Sequence, residues 1–186
     1  MAQRFTEIKP SLREFIEAQH VFFVATAAPD GYVNVSPKGM DSLRVVDSGR
    51  IVWLNVTGSG NETAAHLREL PRMTLMFCAF SGKALILRVY GAARVVHRNE
   101  PGWAELIALF PPVPGARQIF DLRVELVQTS CGMAVPFFDY VGERGELNAW
   151  AAQKGDAELR RYWAERNQLS LDGRDTGIGR IATETG

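Results

Sequence analysis

Residues 51–63 place small polar groups where they could hold an anion. An apolar, β-branched run, Ile51, Val52, Trp53, Leu54, Asn55, Val56 and Thr57, leads into Gly58, Ser59, Gly60, Asn61, Glu62 and Thr63. The first part has strand composition. The second is a glycine-rich turn that opens into a short helix over 61–69, ended by Pro71. Gly58 and Gly60 let the backbone come close to a ligand. Ser59, Asn61 and Thr63 offer hydroxyl and amide donors, and the free N–H groups at a helix start point at an anion. Together these features describe a phosphate seat. Glu62 is an awkward neighbour, because its charge repels a phosphate unless it points away. The same window also reads as a plain loop with Asn61 capping the helix.

Two better-known phosphate loops are excluded. A dinucleotide fingerprint lies in a strand–helix–strand unit with an acidic residue about 20 positions on. Here that region holds the apolar run 76–80, and the following strand arrives by a hairpin. A P-loop needs Gly-Lys-Ser/Thr after the turn, and none follows.

The second window is Val33, Asn34, Val35, Ser36, Pro37, Lys38, Gly39 and Met40. Pro37 is expected to end regular strand pairing, with Lys38 then offering a cation beside the bare backbone of Gly39. An edge-strand proline with a solvated lysine explains the same residues. His20, His66 and His97 show no metal-ligand spacing; His66 on its helix could face the phosphate seat, but a surface position suits it better. Ser36, Ser59 and Ser130 lack a nucleophile-elbow context. Arg68 and Arg72 read as solvated charges, though either could help neutralise a phosphate. Trp53, Trp103, Trp150 and Trp163 read as core or dimer contacts.

The elements that must position these groups follow from periodicity. Ser11 and Glu14 have capping-box spacing, so a helix is expected over 11–19. Strands are expected over 21–27 and 32–36, around Pro29-Asp30-Gly31, and over 43–47 and 50–56. Residues 72–80 and 84–97 form a long hairpin, 101–110 a helix and 119–129 a strand. From Gly145 onward the pattern is helical. Hairpin-linked strands with short helices between them favour a mainly β fold, a small antiparallel barrel whose closure would remove exposed edges. With 186 residues, one domain is expected over 1–186, with a barrel core at 20–130 and a helical C-terminal extension at 145–186.

Lys plus Arg number 21 and Asp plus Glu 21, so nothing in the charge suggests nucleic acid or an anionic membrane as partner. No apolar run is long enough to span a bilayer, and the first ten residues do not read as a signal peptide. Cys78 and Cys131 form no motif and fit a reducing compartment, so a cytoplasmic protein is expected.

The order of these windows resembles the FMN-binding split barrels related to pyridoxamine-phosphate oxidase. The resemblance runs from about Phe22 to Val96. It includes the turn at 29–31, the Ser36-Pro37-Lys38-Gly39 strand, the strand 51–57 and the loop 59–63. Leu67-Arg68-Glu69-Leu70-Pro71 is similar to the family's Leu-x-x-Asn-Pro helix end, and Leu87-Arg88-Val89-Tyr90-Gly91 to its Val-Arg-Val-x-Gly strand. Asn167-Gln168-Leu169-Ser170-Leu171-Asp172-Gly173 resembles a segment of uncharacterised relatives.

The resemblance implies an antiparallel split β-barrel with several short helices, and FMN as cofactor. It makes Ser36, Pro37, Lys38, Gly39, Asn55, Val56, Thr57, Ser59, Gly60, Asn61 and Thr63 the cofactor-binding candidates, with Lys38 and nearby amides facing N1 and O2 of the ring. It implies a homodimer with FMN at the interface and an oxidoreductase passing hydride between a small-molecule donor and FMN. No catalytic acid, base or metal ligand is named. A non-catalytic flavin-binding or sensing protein needs the same pocket, and haem- or deazaflavin-binding relatives use a similar barrel. The chain departs from true pyridoxamine-phosphate oxidases. Gly60-Asn61 replaces an Arg-Lys pair, Ile86 replaces a glutamine, and the Arg-Leu-Ala-Pro-like segment is absent. Oxidation of vitamin B6 phosphates therefore does not follow.

Overall fold

The computed structural model describes residues 2–179; Met1 and the end of the expected extension, 180–186, lie outside the described residues. Eight strands arise where the β-branched and aromatic runs lie: β1 Gln3–Phe5, β2 Phe22–Thr26, β3 Asn34–Lys38, β4 Leu43–Asp47, β5 Arg50–Val56, β6 Arg72–Cys78, β7 Ile86–His97 and β8 Ala116–Ser130. They form one antiparallel sheet in the order β3-β2-β6-β7-β8-β5-β4, and β1 pairs with the far half of β8. This is an antiparallel split barrel.

The sheet curls without closing. Phe22 of β2 lies 6.1 Å from the Trp53 ring of β5, although the two strands are not neighbours along the sheet. Phe77, Leu87, Val89, Phe120 and Leu122 fill the space between, all at most 1 % exposed. Burial of this size, ~1.5–3 kcal/mol for each large side chain, holds the curl in place without a hydrogen-bonded seam. The closed barrel expected from edge avoidance is therefore corrected, since β3 and β4 keep free edges. Gly91 shows how tightly the long β7–β8 ladder is folded. Pairing shifts register between Tyr90 and Gly91, and a Cβ at Gly91 would overlap the Arg123 carbonyl.

Other expectations shift by small amounts. Helix α1 spans Pro10–Glu17 with Lys9 at its N-cap, so the Ser11 capping box does not form. Proline at the first helical position has its φ preset and no N–H to satisfy, and it starts the helix one residue earlier. Pro37 does not end the pairing, because β3 is an edge strand and the ladder continues to Phe22–Lys38. The helix expected over 101–110 shortens to α3, Trp103–Ile107. Helix α2 is Glu62–Glu69, and α4 is Glu146–Arg166, interrupted at Gly155, where φ is +70°. No helix among the described residues is long and apolar enough to cross a membrane.

Candidate functional site

The free edge strand β3 and the end of β5 border one cleft of about 440 Å³, and the loop between β5 and α2 forms its rim. All eleven candidates line it, although β3 and β5 lie far apart in the hydrogen-bonded order. The curl of the sheet brings the two windows together.

The loop is held from behind. The side chain of Arg117, on β8, is 2 % exposed and donates to the carbonyls of Gly58 at 3.3 Å and Gly60 at 3.0 Å. Asn167, just past α4, donates to the carbonyls of Gly58 at 3.1 Å and Ser59 at 3.3 Å, and its Oδ1 accepts from Arg117 at 2.8 Å. None of these peptides is cis. In a planar trans peptide the N–H points opposite to the carbonyl before it. The N–H groups of Ser59, Gly60 and Asn61 are thus turned away from Arg117 and Asn167, and none has a partner among the described residues. A Cβ at Gly58 would project into open space.

The side chains divide into those that build the loop and those left free. Thr57 donates to the Gly115 carbonyl at 2.9 Å and accepts from the Trp163 indole at 2.8 Å. Asn61 accepts from Gln118 at 2.6 Å and donates to the Asn167 carbonyl at 3.3 Å. It therefore neither caps α2 with its side chain nor offers its amide to a ligand. Ser36 donates to Asn34 at 2.8 Å, and Asn34 donates to Thr26 at 3.2 Å and to Thr63 at 3.1 Å. Thr63 keeps its hydroxyl proton to donate, and exposed Ser59 has no side-chain partner among the described residues.

Two cations border the cleft, Lys38 on β3 and Arg117 behind the loop. Lys38 is half-buried, with its ammonium 5.6 Å from the Trp53 ring centroid and no hydrogen bond or ion pair among the described residues. Burial, aided by the charge of Arg117, brings its pKa down to about 8. Burial likewise brings Arg117 down to about 10, against the pull of Glu62 and Tyr162. A guanidinium has five N–H groups. Three of those on Arg117 serve the two carbonyls and Asn167, and its Nε is buried with no partner. Glu62 is the acid of the cleft, and its carboxylate accepts from the Leu171 backbone N–H at 3.2 Å. The two cations leave the cleft net positive.

Sequence reasoning missed Arg117, Asn34 and Asn167. Arg117 follows the stretch Pro111-Pro112-Val113-Pro114-Gly115 and has no local signal of its role; its tuck beneath a loop nearly 60 positions earlier is a tertiary fact. Arg68 and Arg72 do not supply the phosphate cation. Arg68 pairs with Asp175 at 3.0 Å, and Arg72 lies outside the cleft. His66 is not on the surface; it is 1 % exposed and lies 3.1 Å from the Thr26 hydroxyl. His20 stacks on Tyr140 at 3.6 Å, and His97 is buried. None of the three borders the cleft, which offers no imidazole to a haem iron.

Comparisons with known proteins bear on the family and the fold. The family model described as pyridoxamine 5'-phosphate oxidase matches residues 8–131. An Aspergillus flavus protein, described as the pyridoxamine 5'-phosphate oxidase family protein ustO, is 32% identical over 189 residues, covering 91% of this chain and 75% of that protein. The crystal structure of a histidine-to-alanine variant of HupZ from Group A Streptococcus superposes with a TM-score of 0.53 at 18% identity, over 66% of this chain and 99% of that one. A candidate pyridoxamine 5'-phosphate oxidase from Lactobacillus delbrueckii gives 0.52 at 20% identity, over 66% and 94%. At these identities the two structures speak for the fold alone.

Proposed function

We propose, from the premise that this chain belongs to the pyridoxamine 5'-phosphate oxidase family, that it binds FMN in the β3–β5 cleft and serves as a flavin-dependent oxidoreductase for a small-molecule donor. The observation that carries the reading is the loop 58–61, whose carbonyls are held by Arg117 and Asn167 so that three unpartnered N–H groups face the other way. That arrangement suits a dianion, and Arg117 adds a buried positive charge beneath it. The unpaired ammonium of Lys38 suits the edge of the ring where negative charge gathers on reduction. The residues present thus fit the cofactor, with the seat contributed by 59–63 and the ring wall by Ser36, Pro37, Lys38, Gly39, Asn55 and Val56. FMN would supply hydride-accepting chemistry, and the protein's share is binding, orientation and charge.

The test compares FMN with riboflavin, which has the ring and no phosphate. Wild-type protein should take FMN more tightly. Replacing Ser59 and Thr63 together by Ala should weaken FMN about tenfold, each neutral donor being worth ~0.5–1.5 kcal/mol and exposed Ser59 the less, while riboflavin barely changes. Equal affinity of wild-type protein for both ligands would remove the phosphate seat. Repeated turnover with NADH or NADPH would separate an enzyme from a binding protein.

The working unit in this reading is a cytoplasmic homodimer with FMN at its interface. Tyr32, Val33 and Val35 are 70 %, 70 % and 62 % exposed beside the cleft, and Phe137, Phe138 and Val141 lie exposed on the segment before α4. Apolar side chains grouped in this way mark an association surface. Sedimentation at micromolar concentration should give twice the chain mass; a monomer that still holds flavin would overturn the dimer.

A further inference from the structure

The C-terminal segment 167–178 lies outside the residues matched by the family model, yet it contacts the loop at the rim of the cleft and the β2–β3 turn beside it. Its first residue, Asn167, is fully buried, and every polar group of its side chain is used on the loop 58–60 or on Arg117. The Asn167 carbonyl in turn accepts from Asn61 and, at 2.6 Å, from the Thr176 hydroxyl. The rest of the segment is tied to the molecule at points flanking the cleft. Arg174 pairs with Glu69 of α2 and with Asp30 of the β2–β3 turn. Asp172 accepts from the Tyr32 backbone N–H at 3.0 Å, two residues before β3 begins. The Leu171 N–H takes up the carboxylate of Glu62.

These contacts have one effect in common. A glycine-containing loop can turn its peptide planes either way, and it presents N–H groups to an anion only while its carbonyls are occupied elsewhere. Arg117 and Asn167 occupy all three carbonyls from Gly58 to Gly60. Arg117 lies in a strand and is fixed by the sheet. Asn167 is held from one side by the end of α4, where its backbone N–H donates to the Trp163 carbonyl, and from the other by the segment that follows it. The same segment draws Glu62 toward Leu171, and so gives the one acid of the cleft a partner outside it.

We infer that segment 167–178 is a strap that completes the phosphate seat, with Asn167 as a positioning residue that sets the loop's peptide planes, so that the strap confers preference for a phosphorylated over an unphosphorylated flavin. The inference rests on the FMN reading above and deepens it.

Two variants test it, with FMN and riboflavin titrated separately into each folded protein. Asn167→Ala removes the clamp itself. Arg174→Ala releases the strap at its anchors on Glu69 and Asp30, touches neither loop nor cleft, and decides the question if Asn167→Ala fails to fold. FMN affinity should fall about ten- to thirtyfold in the first and about threefold or more in the second, with riboflavin within about twofold of wild type in both. In wild-type protein FMN, and not riboflavin, should slow amide hydrogen exchange at Ser170, Gly173 and Thr176, the strap's own hydrogen-bonded donors. Equal losses for the two ligands would overturn the inference and make the strap a support for the fold. Unchanged FMN affinity in a folded variant would overturn it as well. If wild-type protein does not prefer FMN, the phosphate seat itself fails, a result distinct from a seat that works without its strap.

Discussion

Arg117→Met lowers FMN affinity by about a hundredfold or more and leaves riboflavin within about threefold. The side chain does two things that a neutral residue of similar length cannot. It holds the carbonyls of Gly58 and Gly60 behind the loop, and its buried charge lies beneath the groups that would meet the dianion. A hydrogen bond to a charged partner is worth ~1.5–3 kcal/mol, so losing one or two of them accounts for about two orders of magnitude at 1.4 kcal/mol per tenfold. Burial has already brought the pKa of this guanidinium to about 10, against the pull of Glu62 and Tyr162. Isothermal titration with the two ligands reads the ratio, and circular dichroism keeps loss of fold apart from loss of affinity. A parallel fall in both ligands would assign Arg117 to the fold and remove it from the seat.

FMN binding weakens as pH rises above about 8, and Lys38→Met removes that dependence. Lys38 in the ligand-free protein has a pKa of about 8, lowered mainly by burial. An anionic ligand or an electron-rich ring edge beside it raises that value, so binding takes up a proton once the free ammonium has titrated. Affinity is then constant from about pH 7, where the phosphate is a dianion, to about pH 8, and falls by up to about tenfold per unit above it, until the bound lysine also loses its proton. Stability of the ligand-free protein moves the other way. Between about pH 8 and 10.5 the unfolded chain keeps a proton that the folded chain has released, so stability rises with pH across that window; below about pH 8 the whole cost of burying the ammonium is present. The same substitution lowers the flavin's midpoint potential, by about 30–60 mV if the lost partner was worth ~1.4–2.8 kcal/mol to the charge added on reduction. An unchanged pH profile together with an unchanged potential would place Lys38 away from the ring.

The two predictions read different parts of the cleft. Arg117 discriminates between ligands that differ only in the phosphate, and Lys38 responds to proton and electron with either ligand. A protein that passed the first and failed the second would still bind FMN, with the ring oriented differently from the arrangement proposed.

Much of this protein is determined locally. The strand 51–57, the turn 58–61 and the helix after it follow from composition that acts over a few residues: β-branched side chains favour the pleated backbone, glycine permits the turn, and Pro71 ends the helix. The eleven candidate residues come from two windows whose residue types have a local meaning. The tertiary structure decided which of them remain free. Thr57 and Asn61 look like ligand donors in the sequence, but Trp163, Gln118 and Asn167 take their hydrogen bonds, and each of these partners lies more than 50 positions away. His66 was placed at the surface by its helix alone, whereas the curl of the sheet buries it against Thr26. The cation beneath the loop was invisible for the same cause. An arginine in a strand has no local signal of burial, and Arg117 is buried only because β8 runs under the loop and the chain's last helix returns Asn167 to meet it. Periodicity reports the face a residue shares with its near neighbours; the partner that satisfies a buried charge is chosen by the packing of distant segments, which no local pattern encodes.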